Sequence, residues 1–283
     1  MRRLLSAVVA ALACTASAQA AAPNPDARAF YVVNTSTGDV LASRGAHLVV
    51  PIASITKLMT VIVALDHLKP DDVVTVTRKA AAVGEERIPL FPGQRISVRD
   101  LLAGALIQSA NDAADALAAA ASGGDVARFV SWMNERAQQL GLDDTHFARA
   151  DGLDARGHVS SARDVAVLAQ VAMRSPIIRS IVRERSAVIE NGRIVVRTWN
   201  DLLGVFPGLI GVKTGHTGNA GWCQVAAVKR LGYTIYAVIL GSPTRAKRNE
   251  DLERLLAWSV SQYRSLALIR RATYAWEIGR AHV

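Results

Sequence analysis

The hydrophobic period changes twice along this chain of 283 residues, and that change is what most limits how it can fold. Near the start the pattern is strand-like. Phe30-Tyr31-Val32-Val33 favours β structure, Thr37-Gly38-Asp39 supplies a turn and Val40-Leu41 returns, so residues 28–43 read as a hairpin. The middle is helical. Ile55, Leu58, Met59 and Ile62 recur at helical spacing within Ser54 to Leu68, and a short β-like run at 73–77 follows. Val98 to Ile107 and Asp112 to Ala121 are two more helical stretches, with Ser109-Ala110-Asn111 between them and Gly123-Gly124 as the stop. Asp125 to Leu140 is another helix, ended by Gly141. A loop rich in Gly and Asp runs from Leu142 to His158, and Ser161 with Asp164 resembles a capping box for a helix to Met173. The period then returns to two. Ser186–Glu190, Asn191-Gly192 and Arg193–Arg197 form a hairpin signal, and Ile210–Lys213, Trp222–Val228 and Thr234–Leu240 are further strands. Thr244 to Tyr263 closes with a helix carrying Leu252, Leu255, Leu256 and Ser259 on one face. The expected class is α/β in the α+β sense: an antiparallel sheet built from both chain ends, flanked by helices, with a mostly helical inserted subdomain.

Such a sheet needs a core, and the 51% hydrophobic share supplies one sizeable core or one large domain with a small one. A disulfide is not expected to help. Met1-Arg2-Arg3, the apolar run Leu4–Ala13 and the small residues of Ala18-Gln19-Ala20 read as a signal peptide over residues 1–20, with cleavage after Ala20 or, alternatively, Ala22. Cys14 offers a lipoprotein reading, which Ala11-Leu12-Ala13 fits poorly. If Cys14 leaves with the signal, Cys223 is the one cysteine of the exported chain. No later segment is long and apolar enough to suggest a transmembrane helix. The formal charge of +9 is spread over short clusters such as Arg183 with Arg185 and Arg245 to Arg248. That pattern reads as a solvated basic surface, and no nucleic-acid motif accompanies it.

Three short motifs carry chemistry. In Ser54-Ile55-Thr56-Lys57, Ser and Lys lie three apart at a helix start and share a face. A Ser hydroxyl needs a nearby base, and a Lys serves only if burial and neighbouring positive charge lower its pKa. Alone, the motif also reads as an N-capping Ser with a surface Lys. Ser109-Ala110-Asn111 could pass a proton to a leaving amine and hold both a Lys and a substrate carbonyl, or Asn111 could simply cap the helix starting at Asp112. Lys213-Thr214-Gly215 ends the apolar strand Leu209-Ile210-Gly211-Val212. There a strand edge could bind an extended peptide, Lys213 and Thr214 its carboxylate, and Gly215 would let the backbone approach; the plain alternative is a turn with a surface Lys.

Together and in this order, the three motifs resemble the penicillin-recognising serine enzymes. The flanks Pro51 to Thr60, Ser109 to Ala114, Asp151-Gly152-Leu153-Asp154 with His158, and Gly208 to Thr217 are similar to the low-molecular-mass D-alanyl-D-alanine carboxypeptidases and endopeptidases. The resemblance covers about residues 26–265 and implies one peptidase domain of the β-lactamase/transpeptidase-like fold. It implies Ser54 as nucleophile, Lys57 as base, and Ser109 with Asn111 in proton transfer. It implies Lys213, Thr214, Gly215, His216 and Arg248 in substrate binding, with Arg245 close to Arg248. Backbone N–H groups of Ser54 and His216 would form the oxyanion hole. The implied substrate is a peptidoglycan stem peptide ending in D-Ala-D-Ala, the implied inhibitors are β-lactams, and the implied location is periplasmic or otherwise extracytoplasmic. No cofactor and no metal are implied, since the six His residues are scattered.

Three rivals remain. A class A β-lactamase usually has Asp where this chain has Ala110 and needs a Glu with Asn four residues on, a spacing no Glu here provides. A catalytically silent wall-binding module would not need the full set of reactive residues. A D,D-endopeptidase uses the same residues, and the loops Gly84–Pro92 and Asp143–His158 would decide; Val83 to Pro89 is more charged than the resemblance leads one to expect. Leu266 to Trp276 reads as the start of a second, β-rich domain, and Glu277 to Val283 resembles the translation of a common sequencing adapter. Long family members carry an amphipathic anchor beyond this point, so attachment to the outer face of the inner membrane is expected if the gene continues.

Overall fold

A computed structural model describes residues 21–263. Strands β1 (Ala29–Asn34) and β2 (Val40–Arg44) form the expected hairpin. A 3₁₀ turn, Ala53–Thr56, runs directly into α1 (Lys57–His67). Strand β3 (Val73–Thr75), the short helix α2 (Arg78–Ala81) and β4 (Arg95–Ser97) follow, and β3 pairs with β4. Helix α3 (Val98–Ala103) continues as a π-helical turn, Gly104–Gln108. Then come α4 (Asn111–Ala121), α5 (Val126–Gln139), α6 (Ala162–Ala172) and α7 (Pro176–Ile181). The hairpin β5 (Ser186–Ile189) and β6 (Ile194–Arg197) precedes the long strands β7 (Leu209–Thr217), β8 (Gly221–Arg230) and β9 (Tyr233–Ser242). Helix α8 (Arg245–Ser261) ends the fold.

The main sheet has five strands in the order β2-β1-β9-β8-β7, all neighbours antiparallel. Both chain ends therefore contribute to one sheet. The period of two sorts its side chains onto two faces. Phe30, Val32, Ala226, Val228, Ile235, Ala237 and Ile239 face one way and pack under Leu252, Leu255 and Leu256 of α8. Val33, Cys223, Val225, Ala227, Tyr236, Val238 and Leu240 face the other way, into the larger core made with the middle helices. Side-chain caps fix where helices begin. Ser97 accepts from Asp100 N at 3.1 Å, Asp125 from Arg128 N at 3.0 Å, Ser161 from Asp164 N at 3.2 Å and Thr244 from Lys247 N at 3.0 Å.

Four expectations need correction. The helix expected from Ser54 begins at Lys57, because Ala53 takes φ +51 and the next residues close a tighter turn. Strand β7 does not stop at Lys213; pairing with β8 extends it to Thr217, so Lys213-Thr214-Gly215 lies inside an edge strand. The 186–197 hairpin forms its own two-stranded sheet. Asn111 does not cap α4: Ala110 holds the cap position, and the Asn111 side chain points elsewhere. The segments 1–20, 266–276 and 277–283 lie outside the described residues. Among the described residues no helix is long and apolar enough to cross a membrane, and Cys223 is a free, buried thiol.

Candidate active site

The cleft forms where the 3₁₀ turn, the π-helical turn and the edge strand β7 meet. In a 3₁₀ turn there are three residues per turn, so residues i and i+3 eclipse. Ser54 and Lys57 are such a pair, and Lys57 Nζ lies 2.8 Å from Ser54 Oγ. Lys57 is fully buried, and its other two contacts are Asn111 Oδ1 at 2.7 Å and the Asp151 carbonyl at 2.5 Å. Those two oxygens carry no hydrogen. A neutral amine would give its two N–H groups to them and be left with a lone pair facing the one hydroxyl, Ser54. The amide orientation of Asn111 follows from its surroundings, because its Nδ2 donates to the Gly84 carbonyl at 3.0 Å.

Burial is the largest influence on Lys57. It pulls the ammonium down to about 8, against the upward pull of Asp151, Asp115, Asp112 and Glu85. Lys213 is also buried and lies well below the usual lysine range, first through burial and then through the nearby Lys57 charge. Its Nζ donates to Ser109 Oγ and to the Thr214 carbonyl, both at 2.8 Å. Ser109 ends the π-helical turn at φ +68, a left-handed conformation that turns its hydroxyl toward β7 rather than along the helix.

Glycines let these pieces approach. A Cβ on Gly215 would stand 2.9 Å from the Ile52 carbonyl oxygen and 3.0 Å from Ser54 N, so β7 can lie against the Ser54 turn only with glycine there. A Cβ on Gly152, at φ +84, would come within 2.4 Å of the Ala53 carbonyl oxygen. That loop is braced by Asp154, which accepts from Thr217 Oγ1 at 2.7 Å, and by the Asp151 carboxylate. The latter accepts from Arg149 Nε at 2.8 Å and Nη2 at 2.6 Å, and from Leu153 N at 3.0 Å.

Every residue singled out from the sequence reaches this region. Ser54, Ser109, Asn111, Thr214, Gly215, His216 and Arg248 line one cleft, and Lys57 and Lys213 lie beneath it. Arg248 and Arg245 share Asp201 but differ in burial and in reach. Arg245 is engaged by both Asp201 oxygens and stacks over Trp199; Arg248 is buried at the cleft, held by Asn249 Oδ1 and, at 3.4 Å, by Asp201 Oδ2, and lies over Trp222. His216 is exposed and stacks on Trp222 at 4.1 Å between centroids.

Sequence reasoning assigns no role to Asp151 or Asp115, and gives His158 a structural place in its loop. Asp151 acts on Lys57 through the charge of its carboxylate and through its carbonyl, and no side-chain pattern reveals the second. His158 is buried and pushed down to about 4, chiefly by burial. Its Nδ1 accepts from Ala148 N at 2.9 Å, so its Nε2 is the donor to Thr56 Oγ1 at 2.7 Å, and Thr56 in turn donates to the Ala53 carbonyl at 2.8 Å. The neutral ring thus steadies the turn that holds Ser54. Asp115 sits one helical turn beyond Asn111 and is pushed up to about 7, first by burial and then by Asp151. An Asp inside the alanine-rich α4 was its only signal. Among the described residues no cluster of His, Cys, Asp and Glu could hold a metal ion.

Comparison with known proteins places this geometry. The family described as D-alanyl-D-alanine carboxypeptidase matches residues 16–244. The chain is 31% identical to D-alanyl-D-alanine carboxypeptidase DacF of Bacillus subtilis, over 96% of this chain and 74% of that protein. It is 37% identical to DacD of Salmonella typhimurium, over 91% of this chain and 69% of that one. Penicillin-binding protein 6B of Escherichia coli superposes with a TM-score of 0.78 at 36% identity, covering 85% of this chain and 79% of the other. The Streptomyces K15 DD-transpeptidase superposes with a TM-score of 0.78 at 30% identity, covering 86% and 100%. The chain belongs to the D-alanyl-D-alanine carboxypeptidase family, the low-molecular-mass penicillin-binding serine peptidases.

Proposed function

We propose that the protein removes the terminal D-alanine from peptidoglycan stem peptides through an acyl-enzyme on Ser54. The observation that carries this reading is the Lys57 Nζ to Ser54 Oγ contact of 2.8 Å, at a lysine whose two remaining contacts are hydrogen-free oxygens. Neutral Lys57 takes the Ser54 proton as Oγ attacks the carbonyl between the two D-alanines. The developing oxyanion is received by the backbone N–H groups of Ser54 and His216. The bond to the terminal D-alanine breaks as its amine takes the Ser109 hydroxyl proton; the proton that Lys57 took from Ser54 replaces it on Ser109, which leaves Lys57 neutral again, while Lys213 holds the Ser109 oxygen in place. Water then attacks the ester, and Lys57 again serves as base.

Lys213, Thr214 and Arg248 receive the terminal carboxylate. Lys213 is depressed by burial beside like charge, and an incoming carboxylate offsets both effects, so binding favours its charged form. The open edge of β7 lets the extended peptide add as a further strand. β-Lactams acylate Ser54 in place of the peptide bond. Residues 1–20 direct export, and the enzyme works outside the cytoplasm on the cell wall. The chain gives no Glu–Asn pair at the spacing a class A β-lactamase uses, which favours slow release of a penicilloyl group.

The test is D-alanine release from a purified stem pentapeptide. Release by the wild type, abolished in Ser54→Ala, is expected. Rapid multiple turnover of nitrocefin, or wall-fragment binding with no D-alanine release, would replace this reading with a lactamase or a silent binding module.

A further inference from the structure

One wall of the cleft carries charge that the scheme above leaves unused. Glu85 and Glu86 line the cleft together with Ser54, Asn111 and Leu153. Neither carboxylate has a hydrogen-bond or ion-pair partner among the described residues. Their segment is nevertheless firmly held, and every anchor uses its main chain. Asn111 Nδ2 donates to the Gly84 carbonyl at 3.0 Å and Asn111 N to the Glu86 carbonyl at 2.7 Å. Gln108 Nε2 donates to the Arg87 carbonyl at 2.9 Å. Ile88 N and Leu90 N donate to the two oxygens of buried Asp112, each at 3.1 Å. The backbone is thereby fixed and the two side chains are left for the cleft. Glu85 itself sits at φ +62, a conformation that costs a residue with a Cβ energy and persists where the surroundings impose it.

The cleft therefore presents both signs of charge. Arg248 and Thr214 line it above the buried Lys213, and Glu85 and Glu86 line it with Ser54, Asn111 and Leu153. Both carboxylates act on the catalytic centre: Glu85 on Lys57 and Arg149, and Glu86 on Lys213. A peptide whose scissile carbonyl meets Ser54 lies in the same cleft as the two free carboxylates and Leu153. We propose that Glu85 and Glu86 are specificity residues that select a protonated amine on the side chain of the residue before the penultimate D-alanine. The preferred substrate class is then a stem peptide with an unacylated diamino acid at that position, its aliphatic stem against Leu153. This inference rests on the peptidase reading above.

Two peptides test it, each a lysyl-D-alanyl-D-alanine differing only in whether the lysine side-chain amine is free or acetylated. The readout is the ratio of their kcat/KM values. Wild-type protein is expected to favour the free amine by about tenfold at low ionic strength, the size of a charge-assisted pair in a partly screened cleft. Added salt should shrink that ratio, a measurement that needs no variant. Glu85→Gln and Glu86→Gln should each lower the ratio, and Arg87→Gln, in the same loop but outside the cleft lining, should keep it. If the glutamates served only to tune Lys57 and Lys213, both peptides would slow by one common factor and the ratio would stand. A ratio near one in the wild type, or a ratio retained in both Gln variants, overturns the inference while leaving the peptidase intact. Failure to cleave either peptide, with no penicillin adduct on Ser54, would instead sink the peptidase reading on which it rests.

Discussion

At the scale of single residues, the site depends on two buried lysines with different neighbours. Lys57 has Asp151, Asp115, Asp112 and Glu85 to oppose its desolvation and comes to rest at about 8. Lys213 has Glu86 alone on that side, with Lys57 and Arg248 against it, and falls well below its ordinary range. The sign for catalysis follows directly. Lys57 acts as base only when neutral, so kcat/KM should rise about tenfold per pH unit below its pKa near 8 and level off above it. A stopped-flow series of β-lactam acylation against pH measures this, and a flat profile between pH 6 and roughly 9 would contradict it. Lys57→Ala should slow acylation by roughly 10²–10⁴-fold without unfolding the chain.

At the scale of elements, close approach decides the outcome. The nucleophile's turn, the 151–154 loop and β7 touch through Gly152 and Gly215. Gly215→Ala should cut the acylation rate sharply and lower the melting temperature moderately, because its Cβ presses on the backbone of Ile52 and Ser54 and on the core residue Ala53. Gly152→Ala should also cost stability, since it adds a left-handed alanine to a 2.4 Å clash with backbone. Acylation rate and thermal melting of each variant check both. These contacts explain what was legible beforehand. The motif triples and the periods around them could be read from order and spacing, because Ser54 with Lys57 and Lys213 with Thr214 are local. The Ser109–Lys213 contact spans 104 residues, and Lys57 reaches Asp151 through a carbonyl, so no local pattern encodes either. The turn at Ser54 was read as plain helix because hydrophobic spacing does not distinguish a 3₁₀ entry from the first turn of α1. The end of β7 was misplaced for a similar reason: Lys213, Thr214 and His216 break the apolar run, yet β8 continues to pair with them.

At the scale of the whole molecule, one sheet carries a core on each face, and no disulfide supports it among the described residues. Cys223 is buried in that core and its thiol is pushed up to about 11 by burial, so reductant should leave the melting temperature unchanged. The α8 face is the thinner of the two cores. Leu255→Ala, fully buried there, should cost about 2–5 kcal/mol in denaturant unfolding. The two-ended sheet and the 186–197 hairpin are legible from the change of period and the Asn191-Gly192 turn, whereas the hairpin's separation from the main sheet is not, because a hairpin signal does not say which sheet it joins. The central claim, that this scaffold presents Ser54 as an activated nucleophile, is tested most directly by mass spectrometry of the intact protein and its peptides after incubation with penicillin. One penicilloyl adduct on the peptide containing Ser54, absent in Ser54→Ala, is the predicted result; an adduct on another residue, or none at all, would contradict it.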